Sequence, residues 1–332
     1  MRKKSVSQGV TVYDVAEHAG VSIATVSRAL SGSRPMSDEL REKVQQSAAV
    51  LGYKVNLVGR ALRQRKTSTI GLVIPDFENP FFSSLAQGIS RRFSKSEAEV
   101  LVASADNNAE SELRAVQSFL GRQVDALVMI PNDEDSSAEA LKMASDNVPT
   151  VQFDRFVPSL DIPFIGCDNK AGMDLVSDYI TRRIDTESQP VILIGGGKSS
   201  SSGHERSSRF LSNTSVTRHL EGSFSFEWGQ QAVQSLLDDG VARGTLVCGA
   251  DVIAIGAVSW LLSQGYSIPS DFRVIGFDGV GVAQLAHPTL TTVLQPVDEM
   301  TEAIERLLSS GTSKSVKAIQ RFHPVLVERE SA

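Results

Sequence analysis

The chain has 332 residues, 41% of them hydrophobic, with 33 Lys and Arg against 39 Asp and Glu and a formal net charge of −6. That length suits two or three domains with sizeable cores, which excludes a disordered or fibrous chain. No run approaches the roughly 18 consecutive apolar residues of a membrane span, and the basic start Arg2-Lys3-Lys4 leads into no apolar secretory segment, so a cytoplasmic protein without a membrane partner is expected.

The charge is unevenly distributed. Residues 1–66 hold 12 Lys and Arg against 5 Asp and Glu, a balance of +7, while the remainder holds 21 against 34, a balance of −13. A basic head on an acidic body suits a polyanion that meets the head alone, because phosphate neutralisation supplies most non-specific DNA affinity. Within the head, residues 11–30 read as two short helices joined at Gly20. Thr11 and Asp14 form a capping box, and Val12, Val15, Ala16 and Ala19 recur at i, i+3, i+4 and i+7 on one face. Ser22 caps the second helix. Its inward stripe is Val26, Ala29 and Leu30, which leaves Ile23, Ala24, Ser27 and Arg28 outside, free to enter a major groove. An ordinary helical hairpin is the alternative.

A third helix is predicted from the cap Ser37 through Leu40, Val44, Ala48 and Leu51 to Gly52. Residues 55–66 lack strand character, carry Arg60, Arg63, Arg65 and Lys66, and read as a linker. From Thr69 onward short apolar strands alternate with amphipathic helices. Strands are predicted near 70–74, 99–104, 126–130, 149–153, 163–166, 191–195, 245–249 and 273–277, and helices near 81–95, 109–121, 136–146, 171–184, 205–213, 228–239, 252–265 and 297–310. So many strand–helix units predict parallel sheets covered on both faces, in two Rossmann-like lobes with the ligand between them, beyond the carboxyl ends of the strands.

Other chemistries find little support. Gly195-Gly-Gly-Lys198-Ser199 invites a nucleotide site, but a P-loop needs glycine where Ile192 stands, so a loop closing over the cleft is the expectation. His18, His204, His219, His287 and His323 show no metal-ligand spacing, and Cys167 and Cys248 sit in apolar strand-like stretches as buried free thiols. No cofactor, metal or catalytic residue is expected. An enzyme and a periplasmic transport receptor remain as rivals.

Tyr13-Asp14-Val15-Ala16, Ala19-Gly20-Val21-Ser22, Thr25-Val26-Ser27-Arg28-Ala29-Leu30, Gly52-Tyr53 and Asn56 together carry a resemblance. It continues through Gly71-Leu72-Val73-Ile74-Pro75, Asn79-Pro80-Phe81-Phe82, Phe153-Asp154-Arg155, Asp168-Asn169, Glu205-Arg206, Asp251, Gly276-Phe277-Asp278, Leu290-Thr291-Thr292-Val293 and Gln295-Pro296. In this order and spacing the chain resembles the lactose-repressor (LacI/GalR) family of bacterial transcription regulators. The resemblance implies an all-α helix-turn-helix head (1–54), a hinge helix or linker (55–67) and an α/β core of two Rossmann-like lobes of the periplasmic-binding-protein type I (68–332). The lobes would comprise about 68–165 plus 296–321, and 166–295 plus 322–332. It also implies a homodimer on near-palindromic operator DNA; the chain ends soon after Phe322-His-Pro-Val-Leu-Val-Glu-Arg, which leaves no room for a tetramerising heptad extension.

By the same resemblance Ile23 and Ala24 meet base edges by van der Waals contact, best with a thymine methyl, and Arg28 reads guanine with two parallel donors. Ser22, Thr25 and Ser27 hold phosphates, and Thr11, Tyr13, Asn56 and Arg60 complete the DNA-binding set. Leu62 stands where relatives wedge a leucine into the minor groove. Val55 replaces the usual proline and Gly59 the usual alanine; glycine in a helix costs about 1 kcal/mol relative to alanine. Gly59→Ala is therefore expected to tighten operator binding.

For the effector, similarity to the family and to periplasmic ribose-binding proteins implies Asn79, Phe81 and Phe82 after the first strand and Asp154 with Arg155 after the fourth. Arg206 would open a helix, Asp278 follow a strand, Gln295 lie in the crossover and Phe226 add a ring. Asp251 would join them or cap the helix from Val252. Packing roles are the alternatives: Phe81 and Phe82 in the core, Asp154 with Arg155 as an interlobe ion pair, Asp278 as a turn former. The set points to a sugar, with a pentose such as ribose or a nucleoside favoured, although Ala250 stands where ribose binders carry asparagine. Release from the operator by that effector is the expectation; a purine corepressor or a phosphoprotein partner is the alternative.

Overall fold

The computed structural model describes residues 10–31, 36–53, 66–94, 98–184, 189–197, 199–309 and 319–332. The chain forms two compact units, Met1–Thr67 and Ser68–Ala332.

The first unit contains α1 (Val12–Ala19), α2 (Ile23–Ser31) and α3 (Asp38–Leu51). Both halves of the capping box form: the Thr11 N–H donates to Asp14 Oδ2 at 2.7 Å, and the Asp14 N–H donates to Thr11 Oγ1 at 3.4 Å. Gly20 and Gly52 end α1 and α3 with φ of 63° and 66°, a left-handed conformation that a Cβ disfavours. Ser37 stands at the start of α3, but its hydroxyl makes no capping hydrogen bond, so the predicted cap is one of position only. Val15, Val26 and Val44 are fully buried and close the three helices on one core. Asn56, Arg60 and Leu62, with Val55 and Gly59, lie outside the described residues.

The second unit has two six-stranded sheets. Its first lobe begins β1 (Thr69–Ile74), α4 (Pro80–Ser94), β2 (Glu99–Ser104), α5 (Ala109–Gly121), β3 (Ala126–Met129), α6 (Ala138–Asn147), β4 (Thr150–Phe153) and β5 (Phe164–Cys167). The second lobe follows as α7 (Asn169–Arg183), β6 (Val191–Gly196), α8 (Ser201–Asn213), β7 (Arg218–Gly222), α9 (Phe226–Asp238), β8 (Gly244–Cys248), α10 (Asp251–Ser263), β9 (Phe272–Asp278) and β10 (Thr291–Leu294). The chain then returns with α11 (Val297–Ser309) against α4 and with β11 (Ile319–Phe322), and crosses last to β12 (Val325–Val327). The first sheet runs β11-β5-β4-β3-β1-β2, all parallel; the second runs β12-β10-β9-β8-β6-β7, parallel except for β12. Three crossovers thus join the lobes, and strand ends from both meet at one seam.

All eight predicted strands are present, and β7, β10, β11 and β12 are additional. Three of the four are edge strands, which need apolar residues on one face at most. Their sequences, such as Arg218-His-Leu-Glu-Gly222, carry no strong apolar run. The start of α8 also departs from expectation. Ser200 caps it by accepting the Gly203 N–H at 3.2 Å, so Ser201–His204 are helix ahead of the predicted start at 205, and Arg206 lies inside the helix instead of opening it. Both cysteines are buried and free. Among the described residues no helix is long and apolar enough to cross a membrane.

Candidate functional site

On the head, Ser22 caps α2 by accepting the Thr25 N–H at 3.1 Å, and its hydroxyl also bonds the Thr25 hydroxyl at 2.8 Å. That cap fixes where the helix begins, and hence which side chains project from its first turn. Ile23, Ala24 and Arg28 are exposed there, Thr25 and Ser27 half-buried. The Arg28 Nε donates to the Ala24 carbonyl at 3.1 Å, which folds the side chain along its own helix. Thr11 and Tyr13 are exposed at the start of α1. The surface combines an apolar tip, hydroxyls and one guanidinium, the groups that major-groove edges and phosphates take up.

In the core, the strand ends assemble the predicted polar residues into one buried seam. Asp154 follows β4 and Asp278 ends β9, each with left-handed φ (61° and 123°), a backbone that positions a side chain at the expense of strain. Arg206 reaches them from α8. Its Nε donates to Asn169 Oδ1 at 2.9 Å, its Nη1 to the Gly249 carbonyl at 2.9 Å and to Asp278 Oδ1 at 3.1 Å, and its guanidinium lies 3.8 Å from the Phe277 ring centre. Gln295, in the second crossover, donates from Nε2 to the same Asp278 oxygen at 2.9 Å. Arg155 sits between two rings, 5.0 Å from Phe82 and 5.1 Å from Phe224, and its Nε stands 4.0 Å from Asp154 Oδ2. All six of these polar residues are at most 5% exposed.

Burial governs their ionisation. It pushes the Asp278 carboxyl up to about 6 against the attraction of Arg206, and it raises Asp154 and lowers Arg155. Two guanidiniums face two carboxylates, so the seam holds no surplus of cationic side chains for an anionic ligand. Five buried polar atoms at the seam have no hydrogen-bond partner among the described residues. Asp154 Oδ1, Arg155 Nε and Gln295 Oε1 lie in the predicted set, and the Asn132 amide adds its Oδ1 and Nδ2. Unpaired buried groups cost about 1–3 kcal/mol each, so this density marks a place for a polar molecule.

Other predicted residues have different positions. Asn79 is buried at the start of α4, where its Oδ1 accepts the Phe81 N–H at 3.0 Å. Phe81 and Phe82 both pack in the core, and of the two it is Phe82 that carries Arg155 over its ring. Asp154 and Arg155 pair within one lobe, so the interlobe ion pair is corrected. Phe226 begins α9 and packs against the core; the ring over Arg155 is Phe224, two residues earlier, in the loop after the unanticipated β7. Asp251 does not cap the helix from Val252, for Ala250 holds that position. Its Oδ1 accepts the Thr292 hydroxyl at 2.5 Å and its Oδ2 the Val280 N–H at 2.8 Å, both within the second lobe. Burial with the nearby Asp278 charge pushes it up to about 8. Asn132, Asn169 and Phe277 stand outside the predicted set. Asn132 follows β3, so the rule that found Asp154 after β4 applies to it equally.

Comparison with known proteins follows the same division. The family described as bacterial regulatory proteins, lacI family, matches residues 11–56, and the periplasmic binding protein domain matches residues 70–310. The ribose operon repressor of Haemophilus influenzae is 31% identical over 331 residues, covering 97% of this chain and 98% of its own. Catabolite control protein A of Priestia megaterium is 30% identical over 315 residues, covering 92% and 93%. The crystal structure of the lac repressor dimer bound to operator and the anti-inducer ONPF superposes with a TM-score of 0.85 at 26% identity, covering 98% of this chain and 99% of that one.

Proposed function

The chain belongs to the lacI family of bacterial regulatory proteins, and from that premise we propose that it is a homodimeric repressor released from operator DNA by a small neutral sugar, a pentose such as ribose or a nucleoside. The observation that carries the sugar is the cluster of unpaired buried donors and acceptors around Asp154, Arg155, Asn132 and Gln295. A hydroxyl donates and accepts at once, so a polyol can satisfy Asp154 and Gln295 while taking bonds from Arg155 and Asn132. Arg206 and Asp278 hold further hydrogen-bonding edges, and the Phe82 and Phe224 rings supply apolar faces for C–H groups. Balanced charge favours a neutral sugar over a phosphorylated one. The ribose operon repressor among the relatives supports a pentose.

The DNA-binding set is Thr11, Tyr13, Ser22, Ile23, Ala24, Thr25, Ser27 and Arg28, with Asn56, Arg60 and Leu62 in the hinge. The effector set is Asn79, Phe82, Asp154, Arg155, Arg206, Asp278 and Gln295, joined by Asn132 and Phe224; Asp251 serves the second lobe instead. The lac repressor dimer on its operator supports two heads on two half-sites. An effector changes DNA affinity only through unequal affinity for two arrangements of the lobes, so the sugar favours the arrangement in which the paired hinges let go. A gel shift on the chain's own upstream DNA, with pentoses, hexoses, nucleosides and purines added in turn, tests this reading. Release by a pentose or nucleoside is the expected result. A duplex held equally with every metabolite refutes it, and a tighter grip with a purine reverses the sign.

A further inference from the structure

Outside the ligand-facing set, an ion pair crosses between the lobes. Glu205 on α8, in the second lobe, takes two donors from Arg321 on β11, in the first: Nη2 to Oε1 at 2.6 Å and Nη1 to Oε2 at 2.9 Å. The fork is half-shielded, with side chains 12% and 28% exposed, and the Arg321 guanidinium lies 5.5 Å and 5.3 Å from the Phe156 and Phe164 ring centres. Bidentate charge-assisted bonds held in that way are among the strong ones. Glu205 Oε2 also accepts from Asn169 Nδ2 at 3.0 Å, and Asn169 Oδ1 accepts from Arg206 Nε at 2.9 Å. A continuous chain of contacts therefore runs from β11 through Glu205 and Asn169 to Arg206, Asp278 and Gln295.

We propose that Glu205 is a positioning residue which ties Arg206 to the first lobe through Arg321, so that orienting the effector-reading guanidinium and holding the lobes together are one event. The proposal rests on the seam being the effector site. Two backbone amides report on the lobe contact directly: the Phe156 N–H donates to Ser201 Oγ at 2.9 Å, and the Glu134 N–H donates to the Ser199 carbonyl at 2.8 Å, each across the lobe boundary. Neither bond involves Glu205 or Arg321. If the ion pair holds the seam, its loss speeds the opening that exposes both amides, while amides inside each sheet keep their rates.

Hydrogen–deuterium exchange on the full-length protein without sugar tests this, using Glu205→Gln, Arg321→Gln and the double variant. Expected is exchange on the order of tenfold faster at Phe156 and Glu134 in each single variant, a change equivalent to about 1.4 kcal/mol. The double variant should be no faster than either single one, because one interaction is lost in all three. Leu127 and Val128 in β3 and Leu246 and Val247 in β8 should stay as in the parent. Unchanged exchange at the two reporter amides overturns the proposal, as do additive effects in the double variant. Should Glu205→Gln fail to fold, Arg321→Gln alone decides the matter, since Arg321 stands on an edge strand. D-ribose in a parallel series tests the effector reading separately: absence of protection in the parent sinks the pentose and leaves the sugar-free result standing.

Discussion

Glu112 on α5 is a fully buried carboxyl behind the site, and Glu112→Gln should change how the stability of the core depends on pH. Its Oε1 accepts the Asn132 N–H at 2.9 Å, the Ser137 hydroxyl hydrogen-bonds to it, and its Oε2 has no partner among the described residues. Burial, only partly offset by these bonds and by Arg155, pushes the carboxyl from its ordinary 4.5 up to about 7. Between those values the folded protein keeps a proton that the unfolded chain has released. The contribution to stability is therefore fully present below about 4.5 and is lost as pH rises through 7. At 1.36 kcal/mol per tenfold change in proton affinity, the difference corresponds to about 3 kcal/mol. Glutamine keeps an acceptor for the Asn132 amide and cannot ionise, so the variant loses this decline. Urea unfolding of parent and variant from pH 4.5 to 8.5 measures it, and the comparison cancels Asp251 and Asp278, which titrate in both. Parallel profiles would refute the claim that burial makes this carboxyl hold its proton more tightly in the folded protein.

Arg206→Lys keeps the charge but loses the fork to Asn169, Gly249 and Asp278; it should lower the stability of the core by about 3 kcal/mol and abolish effector response, read by thermal unfolding and by gel shift with sugar. Gly229→Ala places a methyl against the Ile253 carbonyl where α9 crosses α10, and should cost on the order of 3 kcal/mol in urea unfolding of the core. Arg28→Ala should lose about 1–3 kcal/mol of discrimination at one base pair per half-site, measured against operators substituted at that position. Gly59→Ala, in the proposed hinge helix, should tighten operator binding and blunt release by effector, as titration of one operator with parent and variant would reveal.

The physical legibility of this chain differed from element to element. The head was nearly complete in its sequence because its determinants are local: a capping box at Thr11, a cap at Ser22, glycines at 20 and 52 and apolar residues at helical spacing. The buried central strands were equally plain, since a parallel strand covered on both faces must be a continuous apolar run, as in Val191–Gly196. Edge strands escaped, and with β7 the ring that faces Arg155: Phe224 lies in the loop that only β7 places. The start of α8 at Ser201, four residues ahead of the predicted helix, was hidden because Ser200 is a cap, which sequence alone cannot separate from a serine-rich turn.

The sequence by itself determined the two kinds of domain, the family and most of the side chains that converge on the seam, because motifs, periodicity and strand ends are properties of neighbours along the chain. Tertiary structure decided which of those side chains are spent on packing and which are left wanting a partner. Asp251 and Asp278 are both buried aspartates near strand ends, yet Thr292 and the Val280 N–H occupy one, while Arg206 and Gln295 share the other at the cleft. It also brought Glu205 to Arg321 across 116 residues. Hydrogen-bond satisfaction and interlobe charge pairing depend on which distant segments meet, and no local pattern encodes that.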